Sequence, residues 1–189
     1  MSGPPKPYVA LLRGVNLGAR NKVPMAELRR RLTALGFLDV TTYIQSGNVV
    51  LWAAGTTEAK VGAAIERAVK QGFGVTAAVL VRTRAELSAT ASKNPLLRRG
   101  VDPKSLHVTF LASKPTAARV RALHDQAFSP DEHVVRGREV YLRCPNGYGR
   151  SKLGNAFLEQ ALGTTATTRN WTTVGTLLEL ASGRAPTGR

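Results

Sequence analysis

The chain has a single cysteine, Cys144, among its 189 residues. That excludes an internal disulfide and a zinc cage built from cysteines. Histidine is almost as scarce. His107, His124 and His133 lack metal-ligand spacing and an evident carboxylate partner, so they read as three unrelated residues. Acids number only 12 and are scattered, which argues against a two-metal carboxylate site. No cofactor is expected. No apolar run approaches the roughly 18 residues of a membrane span, and no charged and apolar leader opens the chain. The expectation is a soluble, cytoplasmic protein. There is no P-loop signature, Gly14 and Gly18 do not complete a dinucleotide fingerprint, and Gly149–Leu153 is not a nucleophile elbow.

Against 12 acids stand 27 lysines and arginines, a formal net charge of +15. The excess belongs to both halves: residues 1–90 hold 12 basic and 5 acidic side chains, and residues 91–189 hold 15 and 7. A charge of this size favours anionic partners. Arginine-rich, alanine-rich composition also arises without functional selection, so charge alone assigns nothing.

Hydrophobic patterning gives the elements. Tyr8–Leu12 is a nearly all-apolar strand. Pro24–Leu35 is a helix with Met25, Leu28, Leu32 and Leu35 at helical spacing, stopped by Gly36. Val40–Gln45 and Asn48–Trp52 are strands joined through Ser46-Gly47. Thr56–Gln71 is a helix and Val75–Arg82 a strand. Thr83 and Glu86 form a capping box that opens a helix to about Ala91. The order then repeats: strand Leu106–Leu111, helix Pro115–Gln126, strands Glu132–Arg136 and Glu139–Arg143, helix Ser151–Leu162 capped by Ser151, strand Thr164–Arg169 and helix Thr172–Leu180.

This is α+β, with two ferredoxin-like βαββαβ halves repeated in pattern but not in residue identity, and an extra C-terminal helix. The halves are expected at 8–92 and 105–182, with a Pro/Gly-bearing connection at 93–104 and flexible tails at 1–7 and 183–189. The two strands that feed helices in each half are expected to be parallel, which would put their helix starts at one end of the sheet.

Three loops stand out because cations sit where a helix begins. Arg13, Arg20 and Lys22 precede the first helix, Arg150 and Lys152 bracket the fifth, and Arg169 precedes the last. A helix N-terminus is already positive, so a cation there is mildly unfavourable unless an anion binds. Alternatively the side chains swing into solvent. Asn16, Asn21, Gln45, Asn48, Asn146 and Asn170 add amides near turns, where asparagine more often serves its own backbone. Trp171 and Tyr148 could stack on a base or close the edge of a core.

The segments YVALLRGVNLGARNKVPMAELRRRLTALGF (8–37), TYIQSGNVVL (42–51), LHVTFLASKP (106–115), PDEHVVRGREVYLRCPNGYGRSKLGNAFLEQALG (130–163) and TTRNWTTVGTLLEL (167–180) resemble the DUF1697 family of bacterial proteins of unknown function. The resemblance implies duplicated ferredoxin-like halves and no particular activity. Its motifs fall on Arg13, Gly14, Asn16, Gly18, Asn21, Lys22, Gln45, Ser46, Gly47, Asn48, Arg150, Ser151, Lys152, Asn155, Arg169, Asn170 and Trp171. Gly154 and Gly175 depart from what those helices would favour. Three functions follow as expectations. The first is binding of nucleic acid, RNA or a single strand, through these basic loops. The second is an enzyme or sensor for a phosphorylated small molecule. The third is a protein–protein module with incidental charge.

Overall fold

A computed structural model describes residues 3–18 and 21–183. The described chain runs β1 (Lys6–Leu12), α1 (Met25–Ala34), β2 (Leu38–Tyr43), β3 (Asn48–Ala53), α2 (Glu58–Phe73), β4 (Val79–Thr83) and α3 (Arg84–Ser92). It continues β5 (Leu106–Leu111), α4 (Ala117–His124), β6 (Glu132–Arg136), β7 (Glu139–Arg143), α5 (Asn155–Leu162), β8 (Ala166–Asn170) and α6 (Trp171–Ala181). The strands form two four-stranded sheets, ordered β2-β3-β1-β4 and β6-β7-β5-β8. The fold is thus α+β, two ferredoxin-like halves with a C-terminal helix.

Several boundaries differ from the sequence reading, and three of them have a clear local reason. β1 opens at Lys6, because Lys6 and Pro7 pair with Ala53 and Trp52. β4 begins only at Val79, the partner of Leu12; β1 ends there, so Val75–Ala78 has no strand to pair with. α5 starts at Asn155 rather than Ser151. Its N-cap is Gly154, and the Ser151 hydroxyl instead accepts the N–H of Leu153.

Every strand pairing is antiparallel, β1 with β3 and β5 with β7 included. This corrects the expectation of parallel feeding strands. A split βαβ places β3 between β1 and β2, and hairpin-joined β3 must run against both. α1 and α2 therefore start at opposite ends of their sheet, as do α4 and α5. What shares an end in the first half is the loop after β1 and the turn between β2 and β3. In the second half β7 and β8 both run against β5, so the loops feeding α5 and α6 share an end.

The chain divides into two compact units, one up to Ala89 with the residues from Thr176 on, the other Thr90–Gly175. The first has Ala10, Leu12, Leu28, Leu32, Val49, Leu51 and Ile65 at the centre of its core. The second has Leu111, Leu123, Val140, Leu142, Leu158 and Ala166. The dividing points fall inside α3 and α6, so the second unit is one unbroken stretch and the first is completed by the residues from Thr176 on. In the first, Arg84 Nε donates to Ser182 Oγ at 3.0 Å. In the second, the Tyr141 hydroxyl donates to the Thr90 carbonyl at 3.2 Å.

The repeat does extend to single residues. Val9 pairs with Arg82 and Val108 with Arg169 at matching places in the two sheets. Both arginines are buried, and each donates through Nη1 to the carbonyl of the preceding residue, at 2.9 Å for Arg82 and 2.8 Å for Arg169. Glu66 of α2 and Glu159 of α5 each accept the first N–H of the edge strand, from Val79 and Ala166, at 2.9 Å. The following residues, Thr83 and Asn170, cap α3 and α6.

Candidate functional site

The sequence-selected residues fall into two groups, one per unit, and Arg20 lies outside the described residues. In the first unit the loop after β1 meets the β2–β3 turn. Asn16 joins them: its Nδ2 donates to the carbonyls of Val23 (2.9 Å) and Gln45 (2.7 Å), and its Oδ1 accepts the Val23 N–H (2.8 Å). Asn21 donates to the Gly14 carbonyl. Asn48, fully buried, donates to Tyr43 O and Ser46 Oγ. Asn16 and Asn21 take positive φ, +56° and +53°, which asparagine tolerates better than most residues. These amides hold the loop backbone. Arg13 is half-buried, and Lys22 and the Gln45 residue are exposed. Ile44 also takes a positive φ, +48°, while 53% exposed. For a β-branched residue that is a strained conformation.

In the second unit Arg150, Ser151, Lys152 and Asn155 share an end of the sheet with Arg169, Asn170 and Trp171. Arg169 does not face solvent. Its guanidinium is buried beside Thr167 Oγ1 (2.8 Å), and desolvation pulls its pKa down to about 10. Asn170 Oδ1 accepts the Thr173 N–H at 2.8 Å, so that amide caps α6. Trp171 is half-buried as the first residue of α6. Asn155 Oδ1 accepts the Thr168 hydroxyl at 2.7 Å. That fixes the proton order, since Thr168 must then accept from Tyr148 (3.0 Å) and Thr109 (2.7 Å). Tyr148 also stacks on His107, with ring centroids 4.9 Å apart.

Arg150 and Lys152 remain at the surface and line a cleft of about 260 Å³ with Asn146, Gly147, Phe128 and Asp131. Among the described residues, the side chains of Asp131, Arg150 and Lys152 engage no hydrogen bond or ion pair. Sequence reading missed Phe128 and Asp131. Their segment lies some twenty residues from the basic loop, and only the pairing of β6 with β7 brings it alongside. Helix capping adds a contrast. Thr57, Thr83, Thr116 and Asn170 cap α2, α3, α4 and α6. Pro24 and Gly154, before α1 and α5, supply no side-chain cap. These two helices follow two of the three cation-bearing loops; α6, which follows the third, is capped by Asn170.

The histidines are not all unrelated. The rings of His124 and His133 lie 5.0 Å apart, and Phe128 meets His133 edge-on at 5.3 Å. Among the described residues His133 Nε2 is buried without a partner. Nor do any three His, Cys, Asp or Glu side chains among them group as a metal site would require. Burial lowers the pKa of His133, with His124 as a lesser cause, and burial also lowers that of His107. Hydrogen bonding from Arg98, then Arg143, holds Glu132 below the usual carboxylate range. All three shifts mean that the unfolded chain binds protons first, so stability falls on acidification. The histidine contribution is complete above about pH 6.5 and is lost as pH falls through the lowered values. The Glu132 contribution is lost only below about pH 4.5. Thermal unfolding should show a midpoint that drops between about pH 7 and 5 and again below about 4.5. His133→Phe should flatten the first drop, and an unchanged first drop would remove His133 from the account.

Comparison with known proteins adds family and fold. The family model described as "Protein of unknown function (DUF1697)" matches residues 6–141. No curated protein matches the chain. The solved structure of the conserved bacterial protein SP0830 from Streptococcus pneumoniae is similar at 21% identity. The match covers 95% of this chain and 99% of that one, with a TM-score of 0.76. It supports the fold.

Proposed function

We propose, for a chain that belongs to the DUF1697 family, that the second unit binds a phosphate-bearing ligand in the cleft at Arg150 and Lys152. The observation that carries this reading is a concave site with two cations that form no ion pair with any acid among the described residues. A phosphate accepts charge-assisted hydrogen bonds from both, and such bonds are stronger than neutral ones. The volume of about 260 Å³ favours a small phosphorylated molecule over a strand.

Titration calorimetry of the full chain with inorganic phosphate at low ionic strength tests it. The wild type is expected to bind. Arg150→Ala/Lys152→Ala is expected to lose about tenfold in affinity per side chain, at the low end for hydrogen bonds to charged groups. Absence of binding in the wild type, or an unchanged double variant, would sink the reading.

Nucleic-acid binding is the second reading, favoured by the net charge of +15 shared between the halves. Its signature is a steep fall of affinity for single-stranded RNA with salt. Arg150→Ala/Lys152→Ala should then make the logarithmic salt slope shallower by about 0.7 for each phosphate that is no longer neutralised.

A further inference from the structure

The cleft that holds Arg150 and Lys152 also holds a carboxylate, and that combination says more about the ligand than the cations do. We propose that Asp131 reads a hydroxyl donor on the ligand, so that the cleft is built for the phosphomonoester of a sugar. This inference rests on the phosphate reading above.

Acids are scarce in this chain, and those in the structure are mostly engaged. Glu27 meets Arg30 and Arg31, and Glu132 meets Arg98 and Arg143. Glu66 and Glu159 hold edge-strand N–H groups. Asp131, half-buried in the same cleft as two cations, pairs with neither. A carboxylate there repels a bare phosphate, so phosphate binding alone gives no reason for it. A ligand with phosphate at one end and hydroxyls at the other satisfies all three groups. The phosphate takes Arg150 and Lys152, and Asp131 accepts from the hydroxyls.

The carboxylate also sits on a fixed backbone. The Asp131 N–H donates to the Phe128 carbonyl at 2.8 Å, and the next residue, Glu132, is anchored by two arginines. Phe128 supplies an apolar wall for the C–H face of a sugar ring. Its own ring is held edge-on by Phe157 at 5.5 Å and by His133. The volume of about 260 Å³ lies just below the range of drug-sized pockets. It suits a monosaccharide phosphate and is too small for a run of nucleotides.

The test compares inorganic phosphate with ribose 5-phosphate and glucose 6-phosphate, by calorimetry on the full chain and on Asp131→Asn. Asparagine keeps the shape and removes the charge, and thermal melting checks that the variant is folded. The expected result is tighter binding of at least one sugar phosphate than of phosphate by the wild type. Asp131→Asn should weaken that sugar phosphate about tenfold, as loss of a hydrogen bond to a charged group does. It should leave phosphate binding equal or slightly stronger. Should the wild type show no preference for either sugar phosphate, or Asp131→Asn shift both ligand types alike, this inference fails and the phosphate reading stands. Should the wild type bind none of the three, the phosphate reading itself is overturned.

Discussion

Gly47→Ala is expected to cost the fold about 3 kcal/mol, from two additive causes. Gly47 has φ +75°, where an L side chain crowds its own backbone at about 1–2 kcal/mol. There is also no room. A Cβ at this position would lie 2.6 Å from Val15 Cγ2, 2.8 Å from Leu12 Cβ and 3.3 Å from the Leu12 carbonyl. Neither neighbour can withdraw, because Leu12 is 1% and Val15 2% exposed. The contact is close for a reason: the Leu12 N–H donates to the Gly47 carbonyl at 2.8 Å, tying the β2–β3 turn to the end of β1. Overpacking a site that cannot relax adds about 1–3 kcal/mol.

Gly137, in the β6–β7 turn, is the control. It has φ +61°, but its added Cβ would meet only Glu139 Oε2, at 3.8 Å. Gly137→Ala should therefore show the backbone cost alone, about 1 kcal/mol. Urea unfolding of both variants separates the two contributions. If they are equally destabilised, close packing at Gly47 is not what selects glycine.

Much of this fold could be read from the chain. β5, β6 and β7 fall on the residues that alternation and turn chemistry indicate, and the helical stripes of α1 and α2 lie where their leucines, valines and isoleucine recur, except that Leu35 falls just past α1 and is exposed. What periodicity cannot carry is the direction and partner of a strand. For that reason it suggests helix starts at one end of each sheet, where pairing puts them at opposite ends. Residue roles suffer the same limit. Arg169 looks like a surface cation in Thr-Arg-Asn-Trp, and only the folded structure, which sets it opposite Val108 on edge strand β8, shows that it is buried. Its counterpart Arg82 lies in Val-Leu-Val-Arg-Thr, a sequence unlike Ala-Thr-Thr-Arg-Asn, so the repeat emerges only through register. Ser151 offers capping chemistry one turn too early, and the glycine three residues later takes the cap position.

Asn16 shows how a residue that suits a ligand can be occupied by the chain itself, and its replacement carries the second large effect. Asn16→Ala removes three hydrogen bonds, to the Val23 carbonyl, the Val23 N–H and the Gln45 carbonyl. It also leaves alanine at φ +56°. Val23 is fully buried, so its N–H and carbonyl cannot simply turn to water. Each partly buried group left unsatisfied costs about 1–3 kcal/mol. The exposed Gln45 end contributes less, so a total of about 3 kcal/mol is expected. Asn16→Asp separates the parts: its oxygen still accepts the Val23 N–H, but it faces two carbonyls with no proton to give. It should be at least as unstable as alanine near neutral pH and recover partly when protonated in acid. Amide exchange gives the local reading, with faster exchange at Val23 and at Leu12, whose N–H depends on the turn that Asn16 braces. Unchanged exchange at both amides, with a stability loss under about 1 kcal/mol, would mean that the loop does not depend on Asn16. The residue would then return to the set open to a ligand.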